Sequence, residues 1–247
     1  MIIIIIPCFN EADRLEIAPF LSFIEAYQEV ELLFVNDGST DNTTGVINTL
    51  ENEAPGRIFS LNLHENQGKA EAVRQGVLHA LKKPCQYIGY WDADLATPLS
   101  AVPQFMECLR HDPERKIICG ARVQRMGAEI NRHWYRHYPG RVIASIISMI
   151  IGLPIYDTQC GAKLIERKLA ERVFTEPFIS TWLFDVELIA RVVETFGKQE
   201  ARKRILELPL ERWSDIGASK IRLSYLPKVP YELIQIYRNY RQTNGRQ

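Results

Sequence analysis

Apolar runs long enough to cross a bilayer are missing from this 247-residue sequence. The longest, Val142 to Ile155, has 14 residues and is interrupted by Gly152 and Pro154, short of the ~20 that a spanning helix requires. Cysteine is scarce: Cys8, Cys85, Cys108, Cys119 and Cys160 are odd in number and form no CxxC pair. That argues against a disulfide framework and for a reducing compartment. Neither sign of charge is in excess, with 30 Lys plus Arg against 30 Asp plus Glu. No global field therefore gathers polyanions, and no arginine-aromatic interleaving supplies a local patch for nucleic acid. The five histidines lack metal-ligand spacing and no nucleophilic serine elbow is present, which argues against a covalent hydrolase. The opening run Ile2 to Ile6 has no basic lead-in and is too short for a secretory leader, so it reads as a buried strand.

What is present is an alternation of two periodicities. Aliphatic or β-branched runs at Ile2–Ile6, Glu31–Val35, Arg57–Leu63 and Gln86–Trp91 are separated by helical patterns at Leu15–Tyr27, Thr43–Asn52 and Lys69–Lys82. This predicts βαβ units in a parallel sheet, an α/β fold. A helix over Ala101–Arg110 and a strand over Lys116–Cys119 follow, then a basic loop to about Arg141. Beyond it the patterns predict a helix at Phe184–Phe196, a strand at Arg204–Leu210 and a basic, aromatic-rich helix at Leu226–Tyr240. No repeat or low-complexity linker divides the chain.

In open parallel sheets ligands sit outside the carboxyl ends of the strands, where loops and helix amino termini converge. Four successive strand ends here run into Pro7-Cys8-Phe9-Asn10-Glu11, Asn36-Asp37-Gly38-Ser39-Thr40-Asp41, Asn66-Gln67-Gly68-Lys69 and Asp92-Ala93-Asp94. Ser39, Thr40 and Asp41 are suited to capping the next helix, whereas Asp37 precedes the turn and is expected to project into the crevice. Asp92 and Asp94 are two apart on an extended chain and face the same side. Two neighbouring carboxylates repel unless a cation lies between them, and hard oxygen ligands suit Mg²⁺ or Mn²⁺ bridging to a diphosphate.

The segments PCFNEADR, VNDGSTDNT, NQGKAEAVRQG, WDADLATP, GAR, DTQCGAK, WLFDVEL and WSDIGASK occur in this order along the chain. Together they resemble the inverting glycosyltransferases of family two with the GT-A fold, and within them the branch that moves sugars onto polyprenyl phosphates, the dolichyl-phosphate β-glucosyltransferases among them. The resemblance covers nearly the whole chain. It implies a Rossmann-like, mostly parallel sheet flanked by helices in one domain over 1–247. Residues 1–98 would be the nucleotide-sugar half, 99–225 the acceptor half and 226–247 a basic C-terminal helix. It implies further that Pro7, Phe9, Asn10 and Glu11 form a nucleotide-contacting loop, that Asp37 reads uracil and that Lys69 lies near the nucleotide. Asp92 would help place ribose or metal, and Asp94 would be the principal ligand of the Mg²⁺ or Mn²⁺ on the diphosphate of a UDP-sugar. The mannosyl branch follows its DAD with Leu-Gln; Ala96 stands in that place here, in keeping with a glucosyl-type pattern. Ala162 departs from the usual Phe of DTQCGFK.

On the acceptor side, Arg122, Arg125, Arg132, Arg136 and Arg141 lie just before the apolar Val142–Ile155 stretch. Arginine forks match phosphate oxygens, although a solvated basic loop has the same composition. By resemblance Arg122, Arg132 and Arg136 form an acceptor-phosphate clamp, and Asp157 and Lys220 shape the acceptor and diphosphate region. Val142–Ile155 suits either core packing or an interfacial helix on an anionic membrane. Asp185 precedes Leu188 and Ile189 by three and four residues and is expected to face inward, with Glu187 turned away. It either complements the helix amino terminus or serves a hydroxyl acceptor as general base. A phosphate acceptor, already ionised, needs no strong base.

The expected activity is therefore a metal-dependent, inverting transfer of a sugar, glucose by pattern, from a UDP-sugar to a polyprenyl or dolichyl phosphate. The expected place is the cytoplasm, peripheral at the cytoplasmic face of a membrane. The alternative is a glycosyltransferase of the same fold acting on a saccharide, protein or small hydroxyl compound. A nucleotidyltransferase would open with a glycine-rich phosphate loop, and PCFNEADR contains no glycine.

Overall fold

The computed structural model describes residues 1–131, 144, 146–215 and 228–241. Arg132, Arg136 and Lys220, expected on the acceptor side, lie outside these. The strands are β1 (Ile2–Cys8), β2 (Val30–Asp37), β3 (Ile58–Leu63), β4 (Tyr87–Trp91), β5 (Ile117–Ala121), β6 (Glu129–Asn131), β7 (Ala162–Glu166), β8 (Ile205–Pro209) and β9 (Arg212–Ser214). The helices are α1 (Ile17–Ala26), α2 (Thr43–Glu53), α3 (Lys69–Ala80), α4 (Val102–His111), α5 (Arg167–Val173), α6 (Phe184–Phe196), α7 (Lys198–Arg204) and α8 (Lys228–Arg241). Residues 146–151 are also helical.

A seven-stranded sheet in the order β3-β2-β1-β4-β7-β5-β8 forms the centre, and β6 pairs with β9 in a separate parallel ribbon. All pairings in the large sheet are parallel except those of β7, which runs antiparallel to both β4 and β5. The Ile run of β1 is buried along its length because helices cover both faces, which is why it is continuously apolar rather than alternating. Its residues divide by parity. Ile3 and Ile5 join Leu33, Val35 and the α3 side chains on one face, while Ile2, Ile4 and Ile6 join Leu32, Phe34 and the α1, α2 and α4 side chains on the other. Gly76 lets α3 lie close on the sheet: a Cβ there would sit 2.6 Å from Ile5 Cγ2 and 2.9 Å from Val35 Cγ2.

The sheet is built outward from β1 to β3 and then returns to β4 on the other side of β1. The carboxyl ends of β1 and β4 thus flank a topological switch point, the place where open α/β sheets bind ligands. The expected elements of the first hundred residues are all present, within a few residues at their ends. The strands β6, β7 and β9 and the helices α5 and α7 were not anticipated, and β6 lies within the stretch expected to be a basic loop.

Candidate active site

The loop after β1 is locked to the loop after β2. Asn10 has a left-handed backbone, φ 51°. Its N–H donates to Ser39 Oγ at 3.0 Å, and its Oδ1 accepts the Thr40 N–H at 2.8 Å. The Glu11 N–H donates to Thr43 Oγ1 at 2.8 Å, and the Ala12 N–H to Asp41 Oδ2 at 3.1 Å. Ser39 and Thr40 are therefore loop-to-loop ties and not helix caps, a correction to their expected role; only Asp41 accepts an N–H of the first turn of α2, that of Thr43. Pro7 and Phe9 are half-buried beside this lock.

Asp37 differs from expectation as well. Instead of projecting free into the crevice it is buried, and its two oxygens accept the N–H groups of Gln67 and Gly68, each at 2.8 Å. Burial pushes its carboxyl above the ordinary value despite these donors. The consequence is a fixed loop before α3, which delivers Lys69 to Asp92, with which it forms an ion pair. Burial works against the Lys69 charge, but Asp92, Asp185 and Asp94 more than offset it and hold the ammonium protonated.

Asp92 and Asp94 stand just beyond β4. The Asp92 N–H donates to Gly161 O at 3.0 Å, and the Asp92 carboxylate lies where a Cβ on Gly161 would have to go. Asp94 Oδ1 accepts the Ala96 N–H at 3.0 Å across Leu95, whose φ is 53°. Burial first and the Asp92 charge second raise the Asp94 carboxyl above its ordinary value, with Glu11 adding to the same effect. The pair is thus an electrostatically crowded site that a cation would relieve. Among the described residues no group of three or more His, Cys, Asp or Glu is gathered to hold a metal. A divalent ion here would take one or two carboxylates and complete its shell with substrate phosphates and water, the usual manner of Mg²⁺.

On the opposite wall, Arg122 and Asp157 form a two-pronged ion pair at 2.6 and 2.7 Å, and the Arg122 N–H also donates to Asp157 Oδ2. The guanidinium lies 5.3 Å from the Trp213 ring centre. Arg122 is thereby already paired, not an open arm of a phosphate clamp. Burial alone would push Asp157 up, but the Arg122 charge and its hydrogen bonds hold it below the ordinary carboxyl value. A carboxyl depressed in the folded state stabilises the fold above its unfolded-state value, and that contribution is lost as pH falls through the folded value. Asp157→Asn is expected to cost about 3 kcal/mol at neutral pH. In urea titrations carried from neutral to acid pH, its deficit against wild type is expected to shrink below the ordinary value of 3.8; a pH-independent deficit would contradict the pairing.

Asp185 faces inward, as its spacing predicted, and is 4% exposed. It accepts from the Tyr90 hydroxyl and from Lys163 Nζ, the latter at 2.6 Å. Burial and then the Asp185 charge keep the Tyr90 phenol protonated, well above its ordinary value. Glu187, expected to be turned away, is fully buried. Arg191 and the Tyr240 hydroxyl each reach its Oε1 at 2.8 Å, and its Oε2 accepts the Ile179 N–H at 2.8 Å. The reason is α8, which packs against α6 and covers the face assigned to solvent. Of the apolar 142–155 stretch, Ile147, Ile151 and Leu153 are core residues while Ile146 and Met149 are exposed.

Sequence reasoning passed over Gly161, Lys163, Glu207 and Trp213. Gly161 sits inside the DTQCG segment and Lys163 is the one cation in an apolar run; both were visible signals. Trp213 opens the WSDIGASK segment and was visible in the same way, whereas Glu207 carried no signal.

A family profile described as Glycosyl transferase family 2 matches residues 3–174. A dolichyl-phosphate beta-glucosyltransferase of Trichomonas vaginalis is 32% identical over 246 residues, covering 94% of this chain and 69% of the relative. The dolichyl-phosphate beta-glucosyltransferase of Saccharomyces cerevisiae is 30% identical, with 90% and 69% covered. Among solved structures, glucosyl-3-phosphoglycerate synthase from Mycobacterium tuberculosis, crystallised with Mn²⁺, UDP and glucosyl-3-phosphoglycerate, superposes with a TM-score of 0.69 at 16% identity. The superposition covers 97% of this chain and 79% of that one. The architecture is the GT-A fold of glycosyltransferases, and the chain belongs to glycosyl transferase family 2.

Proposed function

We propose that this glycosyltransferase moves glucose from UDP-glucose to a polyprenyl phosphate of the dolichyl type, with inversion at the anomeric carbon and dependence on Mg²⁺ or Mn²⁺. The observation that carries the acceptor assignment is the state of Asp185. A hydroxyl acceptor calls for a carboxylate able to take a proton, and the Oδ1 of Asp185, the inward-facing carboxylate of α6, is already held by both Lys163 and Tyr90. Asp37 is likewise held by the Gln67 and Gly68 amides, Asp92 Oδ1 by Lys69 and Asp157 by Arg122. A phosphate monoester loses its second proton near pH ~6 and attacks as an anion, so its transfer needs no general base. The names borne by the relatives support the same acceptor and the same sugar.

Asp92 and Asp94 would hold the divalent ion, which when bound neutralises charge on the departing diphosphate. Lys69, beside Asp92, is placed to offset the same charge. The loop lock of Asn10 with Ser39 and Thr40, together with Asp37 and Phe9, frames the nucleotide subsite. Among the described residues no helix is long and apolar enough to cross a membrane. Met149, 82% exposed, and Ile146 give the 146–151 helix an apolar outer edge that follows the basic stretch in sequence, which supports a peripheral seat on a membrane. All five cysteines are free thiols, in keeping with the cytoplasmic face.

The test is a panel of UDP-sugars with Mn²⁺ or Mg²⁺ and short polyprenyl phosphates, in detergent and in liposomes. UDP-glucose is expected to give a β-linked lipid phosphate product, and the protein is expected to float with the loaded liposomes. Transfer to saccharide hydroxyls with none to the lipid phosphate would overturn the acceptor assignment.

A further inference from the structure

We infer that Lys163 and Glu207 act as a charge clamp on the 156–161 loop, and through that loop position Asp92 and Arg122 for the transfer. Lys163 is the second residue of β7 and is 0% exposed. An ammonium has three donors, and all are used: Thr158 O at 2.9 Å, Cys160 O at 2.8 Å and Asp185 Oδ1 at 2.6 Å. Glu207, on β8, holds the start of the same loop with the opposite charge. Its carboxylate accepts the Tyr156 N–H at 2.8 Å and the Asp157 N–H at 2.7 Å. Carbonyls of the loop are thus held by a buried cation and its amides by an anion, from two different strands of the sheet.

What the loop carries gives the clamp its consequence. Asp157 fixes the Arg122 guanidinium. Gly161 accepts the Asp92 N–H through its carbonyl and leaves the room that the Asp92 carboxylate occupies. Burying an ammonium is expensive, and an apolar residue of similar length would pack in its place at no such cost. The bonds of Lys163 and Glu207 go to the loop and to Asp185, not to Asp92 or Asp94, so both are positioning residues. Outer groups of this kind typically change metal affinity or activity by about 10- to 100-fold when removed.

The inference rests on Asp92 and Asp94 being the donor-side carboxylates. Its test is titration calorimetry of UDP in the presence of Mn²⁺ on wild type, Lys163→Met, Glu207→Gln and Ile165→Ala. The last loses stability on the same strand without touching the loop. Kinetic kcat and KM for UDP-glucose and urea stability are measured on the same preparations. Lys163→Met and Glu207→Gln are expected to weaken UDP–Mn²⁺ binding about 10-fold, whereas Ile165→Ala unfolds earlier yet binds as wild type does. Binding by both clamp variants within about 2-fold of wild type overturns the clamp alone, as does an equal loss in Ile165→Ala. Should Lys163→Met fail to fold, Glu207→Gln decides. A wild type that binds no UDP with Mn²⁺ overturns the donor reading, and the clamp with it.

Discussion

Asp94→Asn is expected to lower kcat/KM for sugar transfer by roughly 10³-fold, because the carboxylate would hold the divalent ion that neutralises the charge developing on the diphosphate. The same substitution is expected to leave stability unchanged or raise it. Burial and the neighbouring Asp92 push the Asp94 carboxyl up, which means that the fold disfavours its charged form above that value. Asparagine keeps the acceptor for the Ala96 N–H and so preserves the turn through Leu95. Activity and thermal melting therefore move in opposite directions, the pattern of a group kept for function against the interest of the fold. Assays with Mn²⁺ raised to saturation, alongside thermal melts, check both signs. Activity within 10-fold of wild type would remove Asp94 from the donor site.

The second large effect is expected from a single methyl group. In Gly161→Ala the added Cβ lands on the Asp92 carboxylate, and the lighter side chain yields by swinging away from Lys69. That ion pair is about one-third exposed on each side, so its loss costs the fold little. The carboxylate, however, is displaced by the order of an ångström, and misplacement of that size costs about 10²-fold in rate. The expected outcome is a well-folded protein with normal urea denaturation, weak UDP–Mn²⁺ binding and poor turnover. Lys69→Met in the same background tells the two contributions apart: if Asp92 has already left Lys69, the second substitution adds less than it does in wild type.

Much of this arrangement was legible in the residues, for identifiable reasons. The strands β1, β2 and β4 are buried on both faces, so their sequences are apolar runs bounded by polar turns, and the carboxyl-end residues could be read directly from where each run stopped. Asp92 and Asp94 were legible because Tyr87–Trp91 leads into them without a polar break. The strand β7 was hidden by the very residue that matters in it: a lysine as the second of five residues breaks the apolar pattern, and only the placement of Thr158, Cys160 and Asp185 around it explains why a charge is tolerated. Glu187 was misread because a helix examined by itself shows one apolar stripe. The second covering surface arrives from α8, more than thirty residues away in sequence, and no local period announces it. Arg122 looked like a free phosphate ligand since its partner, Asp157, lies 35 residues further on.

The reversed direction of β7 has an architectural result. The stretch from the end of β5 to the start of β7 leaves the sheet and re-enters it on the same side, the side where β4 delivers its acidic pair. A detour of any length between those two points is therefore anchored at both feet on the side of the acidic pair, with Arg122 at one foot and Gly161 at the other. Lengthening or trimming that detour would leave the register of β4, β7 and β5, and with it the placing of Asp92 and Asp94, unchanged.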